Sequence, residues 1–318
     1  MEYLEKLKNI VGPENVTANR IDCLSYSRDM SVHVGLPDVV VFAQNAGQVS
    51  EVVKVAAEHK VPLIPRGSGT SVTGAALSPL GGILLDLVKM NQILEINLAD
   101  GYARVQPGVV CNHLNAKLAP THFFPPDPGS APVASIGGMI STNASGVRAV
   151  KYGTTKNFVK GLKLVLADGS LIETGAIAPK HSTGPDLTHL FIAAEGTLGV
   201  IVEAVVKILP VPEYWKFAKI DFPSLEKAGD AVTEILTSGL PVSTCEVLDR
   251  VSIDIVAGKL NLDIPPAVQC QILLEIDGNK AAVEADAEKI NAVCRKHDLI
   301  DIKWTTDANE RAALGRVR

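Results

Sequence analysis

Val61-Pro62-Leu63-Ile64-Pro65-Arg66-Gly67-Ser68-Gly69-Thr70-Ser71-Val72-Thr73-Gly74 is the stretch on which the fold turns. Its first five residues read as a buried strand, and the chain then passes without a break into a run of small residues. Upstream, Val39 to Phe42 is another short apolar run. Asn45 follows as a helix cap with Gln48 at the capping-box position. Val49, Val52, Val53, Ala56 and Ala57 then recur at the spacing of one helical face. The unit is strand–helix–strand–loop, with the loop at the carboxyl end of a strand, where open α/β sheets take ligands. Successive small residues let backbone N–H groups converge on an anion, because no side chain blocks the approach. The spacing is neither G-x-G-x-x-G nor a P-loop with its Lys, and the acidic residue expected downstream of the former is absent, which excludes a nicotinamide-dependent dehydrogenase. Taken alone, the loop reads more readily as a tight surface turn.

Working outward, the region 83–212 is richer in strand signals, at 83–87, 103–105, 162–166, 171–174 and 200–209. Asp168-Gly169 marks a hairpin turn between two of them. Between Thr121 and Tyr152 the chain is dense in Pro, Gly, Ser and Asn, and so long an irregular segment inside a domain is functional or disordered. Its interleaved apolar residues favour function. After Pro210-Val211-Pro212 the pattern changes to strand 215–222, helix 224–238, strand 242–247, helix 249–257, strand 268–276, helix 280–297 and strand 301–304. This is an α+β layer of ferredoxin-like type. At the other end, Leu4, Leu7, Ile10 and Val11 predict a short amphipathic helix that Gly12-Pro13 stops. The expected domains are therefore an N-terminal helical segment over 1–36, a ligand-binding domain over 37–212 and a second domain over 213–318. Asp307 and Glu310 start a helix that nothing closes before Arg318, so the chain is expected to be a fragment truncated within that second domain.

Composition bounds the function. The 318 residues carry a net charge of -5 and no long basic run, which argues against nucleic acid. No apolar stretch approaches the roughly 20 residues of a transmembrane helix. The start of the chain lacks the features of a signal peptide. Five scattered cysteines without a C-x-x-C pair read as reduced thiols, with a cytoplasmic location as the default.

Two further motifs follow the first. Pro125-Pro126-Asp127-Pro128-Gly129-Ser130 leads into Ser135-Ile136-Gly137-Gly138-Met139-Ile140-Ser141-Thr142-Asn143-Ala144-Ser145-Gly146, and Glu195-Gly196-Thr197-Leu198-Gly199-Val200-Ile201 precedes an apolar strand. The second suits a backbone wrapped around a large, flat, hydrogen-bonding ligand; the third, alone, is a turn.

In order, Pro-Arg-Gly-x-Gly-Thr, Ser-Ile-Gly-Gly-x-x-x-Thr-Asn and Glu-Gly-Thr-Leu-Gly resemble the FAD-binding domain of the vanillyl-alcohol oxidase/p-cresol methylhydroxylase superfamily. Asp86-Leu87-x-x-Met90-Asn91, Tyr152-Gly153 and Gly184-x-Asp186-Leu187 also match. Within the superfamily the chain looks most like the group of glycolate oxidase FAD subunits, D-lactate dehydrogenases and D-2-hydroxyglutarate dehydrogenases. The likeness implies an α+β fold: a PCMH-type FAD-binding domain of two α/β subdomains, followed by a partial ferredoxin-like cap. It also implies residues that would hold FAD. Arg66, Gly67, Ser68, Gly69, Thr70 and Ser71 would form the pyrophosphate loop, with Gly74 beside it. Pro107, Gly108 and Val109 would line the flavin region. Asp127, Ser130, Ser135, Gly137, Gly138 and Thr142 would contact the cofactor, as would Asn143, Gly146, Glu195, Gly199 and Ile201. Some members attach the flavin to a histidine where Thr70 stands here, so attachment is expected to be non-covalent. The chain departs from its relatives at Met139, Ser145 and Ala193-Ala194, where Asn, Gly and Gly-Ser are common.

The activity so implied is oxidation of a D-2-hydroxy acid of the glycolate or D-lactate type, with hydride transfer to flavin N5. Electrons would pass to a partner protein or quinone, through which the chain would gain any peripheral association with a membrane. The alternative is a flavin-carrying subunit without substrate turnover of its own. A bidentate arginine is the natural carboxylate anchor. The family's Trp-x-x-Arg pattern is matched by Gly315-Arg316-Val317-Arg318, where Gly stands in place of the Trp, and the resemblance makes Arg318 the first candidate and Arg316 the second. The seven histidines are scattered without metal-ligand spacing, so the family's base and divalent-metal site are expected beyond Arg318.

Overall fold

The structure is a computed structural model that describes residues 2–178, 180, 182–260 and 263–315. The chain divides into two compact units, one of residues 1–146 and 154–210, the other of residues 147–153 and 211–318. The second unit thus takes in a seven-residue excursion from within the stretch that sequence assigns to ligand binding.

In the first unit, a four-stranded sheet has the order Val16–Thr17, Val39–Phe42, Ile83–Asp86, Leu63–Arg66. The last three strands are parallel, and the first pairs antiparallel with its neighbour. Parallel sheets are covered on both faces, which is why Val39–Val41 and Ile83–Leu85 are apolar at every position and wholly buried. Each such side chain contributes about 1.5–3 kcal/mol relative to exposure. The Ala46–His59 helix makes the crossover, capped by Asn45 Oδ1 on the Gln48 N–H at 3.0 Å. Gln48 Oε1 reaches back to the N–H of Gln44, one residue before the position that a capping box predicts. The Tyr3–Val11 helix packs its buried Tyr3, Leu7 and Val11 into the same core. Residues 1–36 are therefore part of this unit, supplying a helix and an edge strand to its sheet.

A second, antiparallel sheet of five strands runs Ile93–Asn97, Tyr102–Val105, Val200–Lys207, Val159–Val165, Leu171–Gly175. The last two form the hairpin predicted at Asp168-Gly169, with Gly169 at φ 83°. The Ile136–Ser141 helix emerges from the stretch that reads as irregular in sequence.

The second unit is a sheet of order Val242–Asp249, Cys270–Gly278, Tyr214–Phe222, Asp301–Thr305, antiparallel throughout. Helices Leu225–Thr237 and Lys280–Lys296 cover one face, over Ala218, Ile220, Phe222, Ile272 and Leu274. Numbered along the chain the strands lie 2-3-1-4, the split β-α-β pattern of a ferredoxin-like layer. Alternation places Glu275 and Asp277 on the other face, where the Ala149–Tyr152 helix brings Arg148, Lys151 and Tyr152 to them. No described helix is long and apolar enough to cross a membrane.

Candidate functional site

The three glycine-rich segments, remote from one another in sequence, close around one cavity of about 340 Å3 in the first unit. That volume lies in the range of small-molecule and cofactor sites.

The first wall is the loop after the Leu63–Arg66 strand. Gly69 turns it at φ 68°, and among the described residues no protein group accepts from the N–H groups of Ser68, Gly69 or Thr70. Three consecutive free donors at the edge of a cavity are what an anion cradle requires. A Cβ at Gly67 would stand 2.2 Å from Ser135 Oγ, so this wall and the second are in contact with only a hydrogen between them.

The second wall is the Ile136–Ser141 helix and the turn after it. Ser135 caps the helix at the N–H of Gly138, and the carbonyls of Val109 and Pro107 accept from Ile136 and Gly137, both at 2.8 Å. The donors at this helix start are therefore already satisfied. Asn143 sits at φ 48°, and its Oδ1 accepts from Thr154 Oγ1 and the N–H of Lys156, each at 2.9 Å. The third wall docks on the end of the same helix through Ala193 N to Ile140 O (3.1 Å) and Glu195 N to Ser141 O (2.9 Å). Glu195 in turn accepts from Thr73 Oγ1 at 3.1 Å, which ties the third segment to the first.

Beneath the first loop lies a polar group. Asp86, 2% exposed, accepts from the Val88 N–H at 2.8 Å and from the Tyr26 hydroxyl. Burial pushes its carboxyl up to about 6, against the opposing pull of the Val88 N–H, of the Arg66 charge and of the Tyr26 hydroxyl. Burial and the Asp86 charge push the Tyr26 phenol up to about 12.

Of the residues expected to hold the cofactor, Arg66, Gly67, Ser68, Gly69, Thr70 and Ser71 line the cavity, as do Pro107, Ser130 and Ser135. Gly137, Gly138, Thr142, Asn143, Glu195, Gly199 and Ile201 line it too. Five stand outside the lining. Val109 is fully buried, and a Cβ at Gly108 would meet the carbonyl oxygen of Leu87 at 2.5 Å, so this pair holds Pro107 in place from behind. Gly146 packs on the Asp127 carbonyl, and Gly74 on the His33 ring. Arg316 and Arg318 lie outside the described residues. Sequence reasoning missed Thr73, Ala75, Ala76, Leu87, Ser141 and Gly196, all in the lining. Most are small residues inside the same runs, and Leu87 belongs to a matched motif. Among the described residues no three His, Cys, Asp or Glu side chains converge as a metal site would require.

Three non-glycine residues of these walls occupy or flank the left-handed region, and Ala193 at φ 61° has no polar side chain to offset the strain. Left-handed backbone costs an L-residue about 1–2 kcal/mol, and glycine relieves it at some cost in unfolded-state entropy. Ala193→Gly should therefore raise the stability of the first unit by about 1 kcal/mol. A midpoint of urea unfolding that stays put or falls would show that no strain is stored there.

Comparison with known proteins agrees with this geometry. A family model described as an FAD binding domain matches residues 37–175, and one described as the C-terminal domain of FAD linked oxidases matches residues 211–318. The glycolate oxidase subunit GlcD of Bacillus subtilis is 37% identical over 316 residues, 99% of this chain and 67% of that one. A probable mitochondrial D-lactate dehydrogenase of Danio rerio is 35% identical, over 99% of this chain and 64% of its own length. The mitochondrial D-lactate dehydrogenase [cytochrome] of Arabidopsis thaliana is 34% identical, over 100% of this chain and 56% of its own. The chain thus spans between about half and two thirds of the length of these relatives. Among solved structures, alkyldihydroxyacetonephosphate synthase superposes with a TM-score of 0.83 at 21% identity, over 100% of this chain and 63% of that one. p-Cresol methylhydroxylase with substrate bound does so with a TM-score of 0.81 at 20% identity, over 98% and 68%. These two likenesses bear on the fold alone. Free N–H donors on a loop at a strand's carboxyl end, and walls too close at Gly67 for a Cβ, suit a dinucleotide held by backbone, and the chain belongs to the family of FAD-linked oxidases.

Proposed function

We propose that the chain carries FAD non-covalently in this cavity and serves the oxidation of a D-2-hydroxy acid, of the glycolate or D-lactate type, to the 2-oxo acid. The observation that carries the reading is the convergence of three glycine-rich segments, remote in sequence, on one cavity with three free N–H donors. Bound there, FAD supplies at flavin N5 the two-electron acceptor for the hydrogen on the carbinol carbon.

The chain's own residues bind and enclose. The N–H groups of Ser68 to Thr70 hold the pyrophosphate without a lysine. Leu87, Pro107 and Ile201 give the cavity an apolar wall. Thr70, at the place where some relatives carry a histidine, offers no imidazole for covalent attachment. Arg318, or Arg316, would anchor the substrate carboxylate through a bidentate pair. Reoxidation calls for an acceptor, a partner protein or a quinone. The relatives named as glycolate oxidase subunit and D-lactate dehydrogenase support this substrate class.

The test is the visible spectrum of the purified protein during anaerobic addition of D-lactate or glycolate. Flavin bands that bleach establish turnover by this chain. Bands that persist favour a flavin-carrying subunit or fragment. No bands, even after FAD is added, would overturn the reading.

A further inference from the structure

Arg66 opens the first loop, and it is among the most buried charged groups of the chain at 9% exposure. An arginine in a phosphate-binding loop invites the reading of a direct phosphate ligand. Its hydrogen bonds point elsewhere. One terminal nitrogen donates to the carbonyl of Ala76 at 3.1 Å and the other to that of Arg28 at 3.0 Å. The first of these spans ten residues, from the start of the glycine-rich run to its far end; the second ties the run to the preceding segment. That segment also donates to the loop, from Met30 N to Ser71 O at 3.1 Å. The guanidinium thus fills the loop's interior, 5.5 Å from the centre of the Tyr26 ring.

Gly69 marks how tightly the two fit. A Cβ there would lie 2.2 Å from one terminal nitrogen of Arg66 and 2.6 Å from its Cζ. The glycine is required twice, once for φ 68° and once to leave room for the cation beneath it. Asp86 and Asp29 compensate the charge in part, against a burial that pulls the guanidinium below its ordinary range.

We propose that Arg66 is a positioning residue of the FAD site, clamping the glycine-rich loop from within so that the N–H groups of Ser68, Gly69 and Thr70 keep one geometry, with Gly69 as its counterpart. The proposal rests on FAD occupying this cavity as proposed above. The two carbonyls are met by two different nitrogens held apart in one plane, a span that the single nitrogen of an ammonium on a flexible stem does not reproduce. Arg66→Lys therefore keeps the charge and loses the clamp. A direct phosphate ligand would behave in the opposite way, since lysine serves well as a point charge on phosphate.

The experiment measures the dissociation constant of FAD for apo-protein by flavin fluorescence, in wild type, Arg66→Lys, Arg66→Ala, Gly69→Ala and the Arg66→Ala/Gly69→Ala double variant. Far-UV circular dichroism checks that each is folded. The expected result is a loss of roughly tenfold to hundredfold for both Arg66 variants alike, the size of one or two charge-assisted hydrogen bonds. Millimolar methylguanidinium should restore part of the affinity of Arg66→Ala, and methylammonium should not. Gly69→Ala should cost less in the Arg66→Ala background than in wild type, because the clash with the guanidinium is gone while the backbone strain remains. Arg66→Lys binding as wild type does, or strictly additive effects of the two substitutions, would overturn the proposal. Should Arg66→Ala not fold, the comparison of Arg66→Lys with Gly69→Ala still decides: wild-type affinity in Arg66→Lys refutes the clamp. A wild-type protein that takes up no FAD overturns the FAD reading itself, and is told apart by its own titration.

Discussion

Gly137→Ala should weaken FAD binding roughly hundredfold, while Gly138→Ala, one residue on, should weaken it much less. The two glycines stand in the same helix and in the same motif, yet their surroundings differ. A Cβ at position 137 would lie 2.6 Å from Pro107 Cβ and 3.1 Å from both its Cα and its carbonyl oxygen. Nothing there can yield cheaply. Gly137 donates to that carbonyl at 2.8 Å, and Gly108 behind it is fixed by its own bond to the Met90 carbonyl, also at 2.8 Å. The methyl must push the Ile136–Ser141 helix away from Pro107, and both line the cavity. Overpacking of this kind costs about 1–3 kcal/mol, and each 1.4 kcal/mol that falls on the bound state is about tenfold in affinity. At position 138 the nearest atom is Ser135 Oγ at 3.1 Å, which can rotate aside at the cost of a 3.4 Å cap. Gly129→Ala, with nothing within 4 Å, is the neutral control. Titration of apo-protein with FAD reads the comparison directly. Equal losses at 137 and 138 would mean that the second wall is not fixed by Pro107.

How much of this was legible in the sequence follows from how local each signal is. The Asn45 cap, the helix after it, the Asp168-Gly169 hairpin and the whole strand–helix order of the second unit rest on residues within a few positions of one another, and each stands where the pattern places it. The register of the Cys270–Gly278 strand was also local: alternation sets Ile272, Leu274 and Ile276 against the helices. The cofactor loops were legible as motifs because their small residues are needed in runs. Less could be read of what stands behind them. That Gly108 and Val109 support Pro107, or that the Arg66 side chain turns inward, depends on carbonyls of Leu87, Ala76 and Arg28, which carry no side-chain signature. Two expectations, Arg316 and Arg318, fall outside the described residues. The strand at Val16–Thr17 is two residues long and owes its existence to its partners Val40 and Val41, so no pattern of its own announces it. The excursion of residues 147–153 is the clearest case of a non-local cause. Tyr152-Gly153 stands in the sequence as a motif, but the group that fixes it is Asp277, 125 residues away.

That attachment leads to the second large effect: Lys151→Met should destabilise the second unit by about 3 kcal/mol, and Asp277→Asn in the same chain should recover most of it. Asp277 is 4% exposed, on the sheet face opposite the two long helices. Its carboxylate takes an ion pair from Lys151 and hydrogen bonds from the Tyr152 hydroxyl at 2.9 and 3.0 Å; the Lys151 ammonium also reaches its main-chain carbonyl at 2.6 Å. Glu275, two residues back on the same face, is held by Arg311 at 2.6 Å and Arg148 at 3.9 Å, and burial still raises its carboxyl above the usual range. Removing the ammonium leaves a buried carboxylate with a single phenol beside an already strained neighbour. Removing the charge on Asp277 as well takes away the group that needed compensation, and the lysine stem is replaced by a chain of similar length that packs as well. Asp277→Asn alone should cost less than Lys151→Met, because the ammonium, with its side chain 24% exposed, can turn to water. Both tryptophans of the chain, Trp215 and Trp304, belong to this unit, so the fluorescence of urea unfolding follows it separately from the first. Additive losses in the double variant would show that the pair acts as two independent surface groups and that the 147–153 segment is held by something else.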